Sequence, residues 1–209
     1  MKASSIIKEL DSKFPNPKSE LEFNRDYEIV ISTMLSAQTT DKRVNLVTKD
    51  IYKKYDSLEK LDKLSIDEIE RLISSLGFYK VKARYFKEIV SALLPYDKVP
   101  NDRKFLESIP GVGRKSTNVI LSVLYDEPYI AVDTHVTRIS KRFGIVKDKD
   151  DVTNIEKKLY KFFKGEDFKK LGEQLVLFGR YICVSKKPNC KMCGLYHECK
   201  AKDKIKVED

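Results

Sequence analysis

Apolar residues recur at helical spacing along nearly the whole chain, which leaves little room for any fold but a helical one. Ile6, Ile7, Leu10 and Phe14 share one face, and Pro15 and Pro17 stop that helix. Ser65 and Glu68 form a capping-box pattern ahead of Ile69, Leu72, Ile73 and Leu76, with Gly77 available to close the helix. Val81, Tyr85, Ile89 and Leu93 make the next stripe, ended by Pro95. Val132, Val136, Ile139 and Phe143 make another, as do Ile155, Leu159, Phe162 and Phe163. Leu171 to Cys183 is apolar nearly all round, as a buried helix would be. Glu28–Thr33 and Tyr129–Val132 are too short to build a sheet. The reading is all-α, with about ten helices.

The 209 residues suffice for one large domain or two small ones. Lys plus Arg is 41 against 32 for Asp plus Glu, a formal charge of +9. With 41% hydrophobic and 35% charged residues, the composition is globular rather than disordered. The positive balance fits both an anionic partner and a solvated, lysine-rich surface. The high charged fraction also fits a source living at high temperature. No apolar run is long enough for a transmembrane helix, and Met1 to Phe14 does not read as a signal peptide. The expected location is cytoplasmic, nucleoid-associated in a prokaryote.

All four cysteines lie near the C-terminus: Cys183, Cys190, Cys193 and Cys199, with six, two and five residues between them. The segment around them is lysine-rich and lacks periodicity, so it needs another organising centre. Nothing indicates secretion, which disfavours disulfides. Four thiolates this close in sequence suit a tetrahedral zinc site or an iron–sulfur cubane, and spacing alone leaves both open. His197 is a further ligand candidate or a surface histidine. Lys186, Lys187 and Lys191 sit on the loops between the cysteines, either as a phosphate-binding edge or as ordinary solvated lysines.

A second motif is the run from Ile109 to Ser116, Ile-Pro-Gly-Val-Gly-Arg-Lys-Ser. It follows a short helix over Asp102–Ser108, which Pro110 halts. Gly111 and Gly113 permit positive φ and close backbone approach. The next helix carries Val112, Val119, Ile120, Val123 and Leu124 on one face. Such a hairpin offers free backbone N–H groups to a phosphate diester. Helical counting puts Lys115 on the flank of that stripe, neither plainly solvent-facing nor buried. An ordinary lysine is neutral only about once in 2,500 molecules at pH 7, so a nucleophilic role needs desolvation or a proton-accepting partner. Asp133, in Ala131-Val-Asp-Thr-His-Val, is a candidate for that partner and also for a helix N-cap. Arg138, Lys141 and Arg142 lie off the apolar face of the same helix and add positive field.

At these residues the chain resembles the endonuclease III family of helix-hairpin-helix DNA glycosylases. The resemblance spans nearly the whole chain. It rests on Leu35-Ser-Ala-Gln-Thr-Thr-Asp41, Gly77-Phe-Tyr, Ile109-Pro-Gly-Val-Gly-Arg-Lys115, Val132-Asp-Thr-His135 and the cysteine spacing, in order. It implies that Cys183, Cys190, Cys193 and Cys199 hold a [4Fe–4S] cluster. It implies Lys115 as nucleophile and Asp133 as its acidic partner. Gln38 would enter the gap left by an extruded base, and Phe78 occupies the position of an apolar wedge, where the family often has leucine. Gly111, Val112, Gly113 and Arg114 would hold the DNA backbone, with Lys186, Lys187 and Lys191 on the cluster loop.

The implied architecture is a six-helix barrel domain with the helix-hairpin-helix over 20–130, and an iron–sulfur cluster domain from 1–19 and 131–209. A DNA-binding cleft would run between them, with Lys115 on one wall and Asp133 on the other. The implied partner is damaged double-stranded DNA, with no membrane, and the chain would act as a monomer. The implied activity is a bifunctional glycosylase and abasic-site lyase removing oxidised pyrimidines in base excision repair. One alternative is a monofunctional mismatch glycosylase, whose members lack the hairpin lysine. Another is a non-catalytic, metal-stabilised DNA-binding module, which leaves Lys115 and Asp133 unexplained. A metal-stabilised protein-interaction domain accounts for the cysteines alone.

Overall fold

The computed structural model describes residues 1–207 and contains eleven α-helices and no strand among them. The chain divides into two compact units, Ser19–Asp126 and Met1–Lys18 together with the chain from Glu127 onward.

The Ser19–Asp126 unit is built around α2, Asp26–Leu35. Every residue from Tyr27 to Leu35 is buried, so this helix has no polar face to show in a periodicity. That is why Glu28–Thr33 looks like a short strand in the sequence. Several buried polar groups of α2 are paired, whereas the buried Thr33 hydroxyl has no hydrogen-bond partner among the described residues. Glu28 accepts from Arg25 Nη1 at 2.6 Å and from the backbone N–H of Asn24 at 2.7 Å. The hydroxyls of Ser32 and Tyr52 are 2.9 Å apart, and Tyr52 donates to the Glu28 carbonyl. Against α2 pack α3 (Asp41–Lys54), α6 (Tyr79–Leu93) and α8 (Arg114–Tyr125); α4 (Leu58–Asp62) and α5 (Ile66–Ile73) pack on α6, and α7 (Arg103–Ser108) packs on α8.

The Ser65–Glu68 capping box starts α5 as the sequence indicates. The helix ends at Ile73, however, before Gly77, and the left-handed residue that follows is Phe78, with φ 59°. On α6 the buried face is Lys82, Ala83, Phe86, Ile89, Val90 and Leu93. Val81 and Tyr85, expected on the core stripe, are exposed at 45% and 36%. Ile89 and Leu93 of the expected stripe stay buried, and Phe86 takes the core place expected of Tyr85.

The other unit contains α1 (Ala3–Lys13), α9 (Thr134–Arg142), α10 (Val152–Phe162) and α11 (Phe168–Tyr181). Its core joins Ile6 and Leu10 to Val132, Val136, Ile139, Phe143, Ile155, Leu159, Phe163, Leu171, Leu175 and Phe178, the stripes read from the sequence. Gln174 is buried and donates to Asp11 at 2.9 Å and to the Phe14 carbonyl at 3.0 Å, fixing the end of α1 on α11. No helix of the described residues is long and apolar enough to cross a membrane.

Candidate functional site

The hairpin between α7 and α8 is a tight turn whose Val112 N–H donates to the Ile109 carbonyl at 3.0 Å. Pro110 and Gly111 are its central residues, and Gly111 has φ 87°, the sequence order a type II turn favours. Ile109 and Val112 are buried and anchor the turn, while Gly111, Gly113, Arg114 and Lys115 are exposed. A Cβ on Gly111 would lie 2.8 Å from ring carbons of Tyr85, so the hairpin is braced from α6. Gly113 differs from expectation. It is extended, with φ −97° and ψ −178°, and a Cβ there meets nothing within 4 Å. It serves as N-cap of α8 and, having no side chain, supplies no side-chain cap to the first turn. Arg103 donates to Asn118 on α8 and to Glu107 on its own helix, both at 2.8 Å, locking α7 and α8 together.

Lys115 stands in the first turn of α8 and is exposed. The sequence put it beside the apolar stripe. The observed buried face is Thr117, Asn118, Ile120, Leu121 and Ser122, whereas Val119, Val123 and Leu124 are only half-buried. The stripe is rotated, and the lysine turns to solvent with it.

Gln38 and Phe78 belong to the same unit. Both are exposed, Phe78 at 66%, and both hold left-handed backbone, with φ 55° and 59°. Non-glycine residues rarely adopt that conformation. Between them lies Lys82, buried at 4% exposure, whose Nζ donates to Thr39 Oγ1 at 2.9 Å. Burial pushes its ammonium below the ordinary lysine range. Sequence reasoning missed this residue. The signal was Lys82-Phe86-Ile89-Leu93 at helical spacing, which puts a lysine on a core face.

In the other unit, Asp133 is the N-cap of α9. Its Oδ1 accepts from the backbone N–H groups of His135 and Val136, both at 2.8 Å. Its Oδ2 is 2.9 Å from His135 Nδ1. The carboxylate keeps 18% of its side-chain surface exposed. His135, quoted in the sequence motif but given no role there, is thus the side chain beside it.

Arg138 and Arg142 on α9 do not project as free positive charge. Arg138 donates to the carbonyls of Gly179 and Cys183. Arg142 donates to the carbonyls of Cys183, Val184 and Ser185, to Cys183 Sγ at 3.2 Å, and to Asp203. Lys141 donates to the Asp148 carbonyl. The arginines organise the cysteine segment, which also contains a short 3-10 turn at Cys190–Met192.

Cys183, Cys190, Cys193 and Cys199 are all free thiols lining one cavity of about 410 Å³, open mouth included. Among the described residues no three His, Cys, Asp or Glu side chains are grouped closely enough for a single metal ion. Thiols spread around one apolar cavity fit a group that takes each sulfur at a different corner. Burial raises the Cys183 thiol and pushes Cys193 up to about 11. Gly194 N–H donates to Glu9 on α1 at 2.9 Å, and Lys204 Nζ donates to the Cys199 carbonyl at 3.0 Å. Lys186, Lys187 and Lys191 are exposed on these loops, and His197 stacks edge-on with Tyr196.

The HhH-GPD superfamily of base excision DNA repair proteins matches residues 31–164. Endonuclease III of Bacillus subtilis is 38% identical over 196 residues, covering 93% of this chain and 90% of the relative. The chain belongs to the endonuclease III family. The Escherichia coli endonuclease III is 35% identical over 99% of this chain and 98% of its own length. A solved endonuclease III in a trapped covalent intermediate with DNA superposes on this family member with a TM-score of 0.88. That structure is 38% identical and covers 96% of this chain and 97% of its own. The endonuclease III assignment makes the protein a base excision repair enzyme.

Proposed function

We propose that this endonuclease III family member is a bifunctional DNA glycosylase and abasic-site lyase that removes oxidised pyrimidines from duplex DNA. The observation that carries the reading is the exposed amine of Lys115 in the first turn of α8, immediately behind the Pro110-Gly111 turn. That an endonuclease III has been solved as a trapped covalent intermediate with DNA supports a nucleophile on the enzyme. A non-catalytic DNA-binding module leaves Lys115 together with Asp133 unexplained, and monofunctional mismatch glycosylases lack the hairpin lysine.

The base must leave the stack to be reached, at a cost of a few kcal/mol that damage lowers. Gln38 and Phe78 fill the space it vacates. The exposed hairpin residues Gly113 and Arg114 take backbone phosphates, as do Lys186, Lys187 and Lys191. Neutral Lys115 attacks C1′ of the deoxyribose, and the C1′–N bond to the base breaks. The base departs with that electron pair and takes up a proton. The new secondary ammonium loses one proton, and the ring oxygen leaves C1′ and is protonated, giving a protonated Schiff base that acidifies the 2′ hydrogen. Removal of that proton expels the 3′ phosphate by β-elimination. Asp133, held by two backbone N–H groups, accepts the lysine proton and faces the positive charge that develops on the sugar.

Cys183, Cys190, Cys193 and Cys199 are the residues that would hold a [4Fe–4S] cluster. Membership of the endonuclease III family favours a cubane over a single zinc ion, and the four cysteines do line one cavity. The cluster supplies a structural cross-link that orders the lysine-bearing loops; no step of the reaction runs through it.

Borohydride trapping on abasic and thymine-glycol duplexes tests the reading. The wild-type protein forms a covalent adduct and Lys115→Ala forms none. Adducts of equal yield from both would remove the nucleophile assignment. About four irons per chain in a brown protein is expected, and a colourless zinc protein overturns the cluster.

A further inference from the structure

Two exposed side chains in left-handed backbone, Gln38 and Phe78, are joined through one buried residue. The backbone N–H of Lys82 donates to the Phe78 carbonyl at 3.0 Å, the bond that starts α6. Its side chain reaches the other tip, donating to Thr39 Oγ1 at 2.9 Å. The Thr39 hydroxyl passes its own hydrogen to the Ala37 carbonyl at 3.4 Å, bridging across Gln38, and the Thr39 N–H donates to the Ser36 carbonyl. The left-handed Gln38 is therefore clasped by the residues on either side of it.

An ammonium is an expensive group to bury for one neutral partner. No carboxylate accepts from Lys82 among the described residues. Core packing alone would be served by a methionine or leucine. What the ammonium adds is a short, directional hold on a loop 43 residues away in sequence.

We propose that Lys82 is a positioning residue that fixes Gln38 and Phe78 at one separation, so that both enter a damaged duplex together. The proposal rests on the glycosylase reading above. Lys82 touches neither base nor sugar. It keeps the two tips from relaxing into ordinary backbone, where they would arrive out of register with the gap. Misplacement of this order lowers a rate without removing any reacting group.

The test compares two substrates that differ in whether a duplex must be opened. Lys82→Met keeps the stem and removes the donor. Thr39→Val removes the acceptor from an accessible loop, and Thr39→Ser retains it. On a thymine-glycol duplex at saturating enzyme, Lys82→Met and Thr39→Val each lose about tenfold in single-turnover base removal. The double variant loses no more than either, and Thr39→Ser behaves as wild type. On a single-stranded abasic oligonucleotide, which needs no wedge, all variants cleave at the wild-type rate. Equal losses on both substrates, or none on the duplex, overturn the proposal while leaving the lyase assignment intact. Failure of the wild-type protein both to release base from the duplex and to cleave the abasic strand sinks the functional reading and this proposal with it.

Discussion

The ring of Tyr85 lies over the backbone of Gly111, so close that a Cβ at that glycine would sit 2.8 Å from its carbons. The hairpin glycines therefore do different jobs. Gly111 has both a left-handed φ of 87° and an occupied Cβ site, whereas Gly113 has neither. Gly111→Ala is expected to lose roughly 1–3 kcal/mol of stability, through backbone strain and displacement of the tyrosine. Gly113→Ala is expected to fold with a near-native thermal midpoint, since a Cβ there meets nothing, yet to bind DNA more weakly, because the methyl group would stand in the path of the phosphate proposed to approach the hairpin. Thermal unfolding beside a DNA titration separates the two. Equal destabilisation by both substitutions would contradict the asymmetry.

Asp133 combines a cap with a charge, and the two are separable. In Asp133→Asn the amide oxygen still accepts from His135 and Val136, so the thermal midpoint should stay near wild type. Asp133→Ala removes the cap and should lose about 1 kcal/mol. Both should slow base removal, because neither retains an acceptor of negative charge for the lysine proton. Single-turnover rates read with the unfolding midpoints check this. An asparagine variant with full activity would reduce Asp133 to a cap.

How far the sequence carried these conclusions depended on where the information lay. Asp133 was legible because an acidic residue ahead of an apolar stripe satisfies orphan N–H groups by local geometry. The same holds for Ser65 with Glu68, and for the stripes Ile6–Leu10 and Val132–Phe143. What failed was whatever a neighbouring element decides. Helix α2 is buried all round and shows no period. The buried faces of α6 and α8 are rotated from those read, which moved Val81 and Tyr85 outward and turned Lys115 fully to solvent. Gly77 was the obvious residue for a left-handed stop, yet Phe78 adopts that conformation. A rule of local propensity does not foresee a bulky residue there. Arg138 and Arg142 read as surface charge because their acceptors are carbonyls more than 40 residues away. The spacing of the cysteines left zinc and iron–sulfur open, and only the resemblance chose between them.

The buried ammonium of Lys82 makes a prediction about pH. Its pKa in the folded protein lies below that in the unfolded chain, because burial disfavours the charge. Between the two values the unfolded chain binds more protons, so stability rises with pH across that window. Below both, the native state bears the full desolvation penalty. Lys82→Met removes the penalty and keeps the stem's volume. The variant should be at least as stable as wild type at low and neutral pH. Its advantage should shrink as pH climbs toward the unfolded lysine value near 10.4. Urea unfolding from pH 6 to 11 measures the difference. A methionine variant that is less stable throughout would mean the hydrogen bond to Thr39 outweighs the burial.

Arg142 is the residue on which order in the cysteine segment depends most. Its side chain is 8% exposed and donates to three carbonyls, the Cys183 sulfur and Asp203. A guanidinium meets that many acceptors because its N–H groups are fixed in one plane. Lysine, a point charge with three donors, cannot reach all of them from the same stem. Arg142→Lys should leave several buried acceptors unsatisfied, a loss of about 1–3 kcal/mol. With the proposed cluster bound, the variant should also shed iron on dialysis against a chelator faster than wild type, since the sulfur of Cys183 is no longer held by Arg142. Helix content should change little, because the core around Phe178 and Leu175 is packed independently of the loop. Limited proteolysis at Lys186, Lys187 and Lys191 should accelerate in step with iron loss. Unchanged iron retention in the lysine variant would show that the cysteine segment is held by the cluster alone.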